Sequence, residues 1–184
     1  MASDSPINRP LAGPLTRRLF FALWPSDDLR AALVAHTSEA VQAFRCRPTF
    51  ANNLHVTLAF LGAVPTARVN ELMEIGRSLS VSGCELNFDR LVVWKQARVL
   101  ALLVSKIPDS LDGFVLELQA RLLDAGFHPD NKPYRVHVTL ARDVRAGARE
   151  EEVATLTWLV SDFVLVESLQ SAGGAHYEVI ARFA

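Results

Sequence analysis

The residues that stand out for chemistry are two histidines and two threonines in a repeat. His55-Val56-Thr57-Leu58-Ala59 recurs letter for letter as His137-Val138-Thr139-Leu140-Ala141, 82 residues later. At average residue frequencies, a chance five-letter match in a chain this long has a likelihood on the order of one percent. Either the fold contains a duplicated half, or two sites do the same job. On a strand, His and Thr at i and i+2 share a face, roughly 6–7 Å apart, while Val and Leu point the other way into packing. Each copy therefore sets an imidazole beside a hydroxyl. Two-fold pseudo-symmetry would gather two of each in one cleft, with no carboxylate and no thiol from the repeat itself.

Imidazole titrates near pH 6.5, so of two imidazoles one can be neutral and one protonated near neutrality. That is a matched general base and general acid. Threonine hydroxyls donate to a small oxyanion such as a phosphate. The set suits in-line displacement at phosphorus, with one His taking a proton from the attacking oxygen and the other giving one to the leaving oxygen. No metal or other cofactor is called for. A zinc site needs three or four ligands at recognisable spacing, and the sequence has neither H-E-x-x-H nor C-x-x-C.

These residues need strands to hold them. Arg18 to Trp24 reads as the first strand, closed by Pro25. Ser26 reads as an N-cap followed by Asp27 and Asp28, with Leu29, Leu33, Val34, Val41 and Phe44 at helical spacing. Leu54 to Leu61 is the strand of the first motif, stopped by Gly62. Pro65 opens a second helix with Val69, Leu72, Met73, Ile75 and Leu79. Strands Cys84 to Lys95 and Arg98 to Lys106 follow. Pro108 and Asp109 open a third helix that ends at Gly126. A loop from His128 to Pro133 leads to the second motif strand, Tyr134 to Arg142. Glu150 to Glu152 reads as a short acidic helix, and strands Asp162 to Glu167 and His176 to Phe183 close the chain. Helices alternate with runs of consecutive strands, which predicts an α+β fold of antiparallel or mixed sheets with helices packed outside.

Composition narrows the classes. The 184 residues are half hydrophobic and 21% charged, which suits one ordinary domain and not a disordered chain. A chain this long buries roughly 70% of its unfolded surface. Lys and Arg number 19 against 20 Asp and Glu, for a net charge of −1. That excludes a broad basic coat for nucleic acid, but not a pocket for one phosphate. Cys46 and Cys84 are too few for a disulfide scaffold and read as reduced thiols of a cytoplasmic protein. No apolar run approaches the length of a membrane span, and Met1 to Pro14 lacks the apolar stretch of a signal peptide. Residues 1–15 read as a flexible tail and 16–184 as a single domain.

The two H-x-T motifs resemble those of the 2H phosphoesterase superfamily, and within it the RNA 2′,3′-cyclic phosphodiesterases, also known as 2′-5′ RNA ligases. The resemblance runs from Arg18-Leu19-Phe20-Phe21-Ala22-Leu23 through Asn53 to Gly62, Ala97 to Leu100 and His137 to Arg142, and into Glu167-Ser168-Leu169 and Tyr177 to Phe183. It implies a bilobal α+β domain, two pseudo-symmetric antiparallel sheets with outer helices around a central cleft. It implies metal-independent hydrolysis of RNA 2′,3′-cyclic phosphate ends to a 2′-phosphate, with His55 as proton donor and His137 as proton acceptor. Thr57 and Thr139 then hold the phosphate oxygens. The implied partners are RNA 3′ ends or small cyclic nucleotides, met by a monomer with no membrane. Where the family often has Pro before the second motif His, this chain has Val136, a change expected to alter how the chain enters the strand and not the chemistry.

Phe60 and Arg142 both stand at the motif His plus five. Strict alternation points both away from the cleft, as a packed Phe and a solvated Arg. The resemblance implies instead that Arg142 contacts phosphate or ribose, which a strand end or bulge would permit. Arg135, two before His137, has the right parity and is the alternative cation. Phe60 is a candidate for stacking on a nucleobase. His36, His128 and His176 are expected to be solvated or locally bonded. Two other functions share the motifs: a 2H enzyme for another small phosphodiester, such as 2′-5′ oligoadenylate or an ADP-ribose cyclic phosphate, and a non-catalytic module that grips RNA ends.

Overall fold

The computed structural model describes residues 15–81, 83–130, 133–171 and 174–184. Apart from Leu15, the tail expected over 1–15 lies outside the described residues. The chain opens with strand β1 (Thr16–Leu23), helix α1 (Asp27–Gln42) and the two-residue strand β2 (Arg47–Pro48). Strand β3 (Val56–Pro65) and helix α2 (Val69–Arg77) follow, then β4 (Cys84–Trp94), β5 (Val99–Val104) and helix α3 (Asp109–Asp124). The rest is strand: β6 (His137–Arg142), β7 (Arg149–Val160), β8 (Phe163–Ser171) and β9 (Gly174–Phe183). No helix among the described residues is long and apolar enough to cross a membrane.

Local chemistry sets the helix ends. The Ser26 hydroxyl accepts from the Leu29 amide at 3.2 Å, and Asp27 and Asp28 sit in the first turn of α1. α3 ends on Gly126 at φ +74°, with Phe127 N donating to Leu122 O and Gly126 N to Leu123 O, both at 2.8 Å. This paired closure satisfies the last carbonyls and needs a residue at ease with positive φ. α3 buries Leu111, Phe114, Val115, Leu118 and Leu122. α1 buries only Leu33 and Thr37, and Val34 is 43% exposed, so it lies more at the surface than its apolar spacing suggests.

The strands pair in the order β7-β4-β5-β6-β3-β1-β8-β9, with β2 alongside β6. The two antiparallel sheets expected from the sequence are thus four strands each, made continuous at the junction of β3 and β6. There a single residue pair, Val56↔Val138, is in register. The halves repeat one unit. β1-α1-β3 and β5-α3-β6 each run strand, 16-residue helix, motif strand. Phe20-Phe21-Ala22-Leu23 takes the place in β1 that Val99-Leu100-Ala101-Leu102 takes in β5. One core holds both halves together: Leu23, Val56, Leu100, Leu102, Leu118 and Val138 belong to it, each fully buried. Each such side chain contributes roughly 1.5–3 kcal/mol by leaving water.

Several elements differ from the sequence reading; β8, expected to end at Glu167, runs on to Ser171. Glu150 to Glu152 is not a helix but the start of β7, opposite Val92, Leu91 and Arg90 of β4. The free edge of this strand carries charge, which discourages pairing with another chain. β3 does not stop at Gly62 but continues to Pro65, because Gly62 adopts φ +67° beside a ladder irregularity at Leu61. A 3-10 turn over Thr66–Arg68 follows Pro65, so α2 begins at Val69. β6 begins at His137, and only the carbonyl of Val136 reaches β5, accepting from Val104 at 3.4 Å.

Candidate active site

The pairing of Val56 with Val138 decides the site. Continued one residue each way, antiparallel register sets His55 across from Thr139 and Thr57 across from His137. All four have the parity opposite to the buried valines, so all face one side of the sheet. They line a cleft of about 310 Å³ together with Arg18, Phe20, Phe60, Arg142, Ser168 and Tyr177. Among the described residues no carboxylate lines it, whereas two arginines do. Among the described residues, no three His, Cys, Asp or Glu side chains gather where they could hold a metal ion.

Each imidazole is held in the same way. His55 Nδ1 lies 2.7 Å from the carbonyl of Asn53, and His137 Nδ1 lies 2.7 Å from the carbonyl of Arg135. A carbonyl only accepts, so both Nδ1 atoms carry hydrogen, and in the neutral rings both Nε2 atoms present a lone pair. The Thr57 hydroxyl sits 3.0 Å from His55 Nε2 and donates to it. Asn53 is itself fixed, its Nδ2 donating to the Ala175 carbonyl at 2.7 Å.

The surroundings of the two rings differ. Trp24 stacks on His55 at 5.8 Å, Phe20 lies 5.0 Å away, and Tyr177 meets it edge-on at 5.2 Å. His137 has one such neighbour, Trp94, edge-on at 4.8 Å. Burial pushes His55 from 6.5 down to about 4; the Asn53 carbonyl opposes this, and the nearby charges of His137 and Arg142 add to it. Burial also lowers His137, opposed by the Arg135 carbonyl and reinforced by Arg142 and Arg135. Burial thus favours the neutral form of both rings.

A matched pair of bulges explains Phe60 and Arg142. In β3, Ala59 pairs with Phe21 and Thr57 with Ala22, which leaves Leu58 without a partner in β1. In β6, Ala141 pairs with Leu100 and Thr139 with Ala101, which leaves Leu140 without a partner in β5. Each extra residue stands three past a motif histidine and reverses the alternation beyond it. Phe60 and Arg142 consequently return to the cleft face. The Arg18 guanidinium lies over the Phe60 ring at 5.4 Å. Arg142 has no ion-pair partner among the described residues.

Arg135 is placed elsewhere. Its side chain borders a separate groove with Arg90, Ser105 and Glu150, and it touches the site through its carbonyl, its charge acting on His137 only from a distance. His128 and His176 are exposed, and His176 Nε2 stands 3.9 Å from Glu178. His36 departs from expectation: its Nε2 is buried with no hydrogen-bond partner. Sequence reasoning missed Arg18, Phe20, Trp24, Trp94 and Tyr177. A signal existed for the first three, which share the parity of β1, but Phe20-Phe21-Ala22-Leu23 is apolar on both faces and hides it.

The arrangement is a small cationic cleft with two proton-transfer groups, built for an anion. Residues 23–101 match the family described as LigT like Phosphoesterase. A protein of Escherichia coli named RNA 2′,3′-cyclic phosphodiesterase is 27% identical over 175 residues, 91% of this chain and 96% of that protein. A protein of Thermus thermophilus with the same name is 31% identical over 180 residues, 90% of this chain and 89% of that one. The crystal structure of E. coli LigT complexed with 3′-AMP has a TM-score of 0.82 at 27% identity, covering 91% of this chain and 97% of that one. Likeness at this level over nearly the whole of both chains establishes that the chain belongs to the LigT-like phosphoesterase family.

Proposed function

We propose that this protein hydrolyses 2′,3′-cyclic phosphate at RNA 3′ ends to a 2′-phosphate, with the two motif histidines as acid and base. One observation carries the reading: the Val56↔Val138 bridge sets both imidazoles and both hydroxyls on one cleft beside Arg142, which has no ion-pair partner among the described residues. The activity by which both relatives are named supports it.

In the proposed step, the cyclic phosphate enters as a monoanion drawn by Arg142 and Arg18. The Thr57 and Thr139 hydroxyls donate to its non-bridging oxygens. His137 Nε2 takes a proton from water as that oxygen bonds to phosphorus. The bond from phosphorus to the 3′ oxygen breaks, and His55 Nε2–H delivers a proton to that oxygen. The negative charge of the bound anion raises His55 and lets it enter the step protonated. Arg142 offsets the charge growing on the phosphoryl oxygens.

The enclosure of His55 favours a second assignment, in which the more depressed ring is the base and His137 the acid. Both assignments predict one reaction class. Two observations support further proposals. Cys46 and Cys84 are both free thiols, which suits a reducing cytoplasmic setting. The core shared by the two halves supports residues 16–184 acting as one unit.

The test is hydrolysis of a nucleoside 2′,3′-cyclic phosphate in EDTA, with the product identified by phosphorus NMR. A 2′-phosphate is expected. A 3′-phosphate would overturn the leaving-group assignment, and dependence on added metal would overturn the mechanism.

A further inference from the structure

Beside the cleft lies a rim that the reaction above does not use. Phe50, between β2 and the 3-10 turn leading to His55, is 61% exposed. It borders two connected hollows. One is the narrow end of the catalytic cleft, shared with His55, Thr139 and Arg142. The other is a shallow, mainly apolar trough of about 670 Å³ along Asn52, Leu169 and His176. An exposed phenylalanine is unremarkable by itself. Here it joins a second exposed apolar side chain, Leu169, and opens directly onto the anion site.

Arg47 lines the first hollow, and its Nη1 lies 3.7 Å from where a Cβ on Gly174, at the border of the trough, would stand. Arg47 is the register partner of Arg142 across β2 and β6. Such partners stand about 5 Å apart at Cα and face the same side of the sheet. Arg47 meets Asp143 at 3.0 Å, but both side chains are more than half exposed, so the pair is weak and readily exchanged for a phosphate. From the histidine pair outward the order is thus cation, cation, aromatic. Single-stranded nucleic acid is bound by this alternation of charge for the backbone and a flat ring for the base.

We propose that the trough holds the nucleotide preceding the cyclic phosphate end, its base stacked on Phe50 and its linking phosphate against Arg47. This rests on the cyclic-phosphodiesterase reading and narrows it. The substrate class becomes an oligonucleotide of two or more residues, of which a mononucleotide fills only half the site. Phe60, across the cleft, is left for the terminal base.

The experiment compares kcat/KM for a mononucleoside 2′,3′-cyclic phosphate and for a dinucleotide with the same cyclic end. It uses the wild type, Phe50→Ala and Phe50→Tyr. The wild type is expected to favour the dinucleotide roughly 5- to 100-fold, mainly through KM, the usual worth of one stacked base. Phe50→Ala brings the ratio of the two substrates close to one, and Phe50→Tyr keeps it. No preference in the wild type, or a loss in Phe50→Ala that is equal for both substrates, overturns the proposal. Turnover of neither substrate by the wild type overturns the cyclic-phosphodiesterase reading and this one with it.

Discussion

Val56 and Val138 face each other as the one residue pair in register between the two motif strands. Everything reactive in the cleft takes its place from that contact. A shift of one residue there would turn one of the two imidazoles to the packed side of the sheet, away from its partner, because the side-chain period is two. The valines are fully buried, so the apolar core enforces the register on which the chemistry depends.

Removing either imidazole, as His55→Ala or His137→Ala, is expected to cost roughly 10²- to 10⁴-fold in rate. Thr57→Val costs less, since a hydroxyl is one donor among several. A nitrophenyl ester separates the roles because its leaving group needs little protonation. Substantial rescue of His55→Ala alone assigns the acid to His55. Rescue of His137→Ala alone reverses the assignment. Full activity of both variants with the cyclic substrate would rule the site out.

Acid should weaken the fold through His55. Its folded value, about 4, lies below its unfolded value of 6.5, so the unfolded chain binds more protons between those pH values. The stability contribution is complete above pH 6.5 and is lost as pH falls toward 4, by up to about 3 kcal/mol. His137 acts with the same sign. Denaturant unfolding at pH 7 and pH 4.5 measures this. His55→Asn should lose less on acidification than the wild type; equal losses would contradict the enclosure of the ring.

The two candidate arginines should separate in kinetics. Arg142→Ala is expected to cost roughly 10- to 1,000-fold in kcat/KM, the scale of a charge-assisted contact to a developing oxyanion. Arg135→Ala should cost far less, since its side chain borders another groove. Comparable losses in both would place the phosphate nearer Arg135 than the bulge at Leu140 suggests.

Gly76 sits buried in α2 against the ring of Phe183, and a methyl group added there would run into that ring. Phe183 is packed in turn against Phe21 and Phe163, so it has little room to yield. Gly76→Ala should destabilise by about 1–3 kcal/mol despite the better helix propensity of alanine. A rise in the denaturant midpoint would show that the ring moves freely.

The sequence makes the repeated imidazoles and hydroxyls legible because they are identical letters at strand spacing. The bulges just beyond them are hidden. Leu58 and Leu140 look like ordinary alternating residues, and only the neighbouring strands show that each is an extra one. Alternation therefore points Phe60 and Arg142 the wrong way. Glu150 to Glu152 misleads for another reason: three glutamates suit a first helical turn, but pairing with β4 overrides propensity. Trp94 and Tyr177 reach the histidines from β4 and β9, contacts that local pattern does not contain.

The strand order also dictates a timetable for assembly. The half built from β4, β5, β6 and β7 is contiguous in sequence, from Cys84 to Val160. The other half must wait, because β1 pairs with β8, Leu19 against Glu167, and β8 with β9, Phe163 against Phe183. On a ribosome β1 thus stays without its outer neighbour until β8 has emerged. Long-range pairing of this kind is slow and leaves edges exposed. The half from Cys84 to Val160 is therefore expected to gain protection from hydrogen exchange first, and truncation before Phe163 should leave β1 as an open edge prone to aggregation.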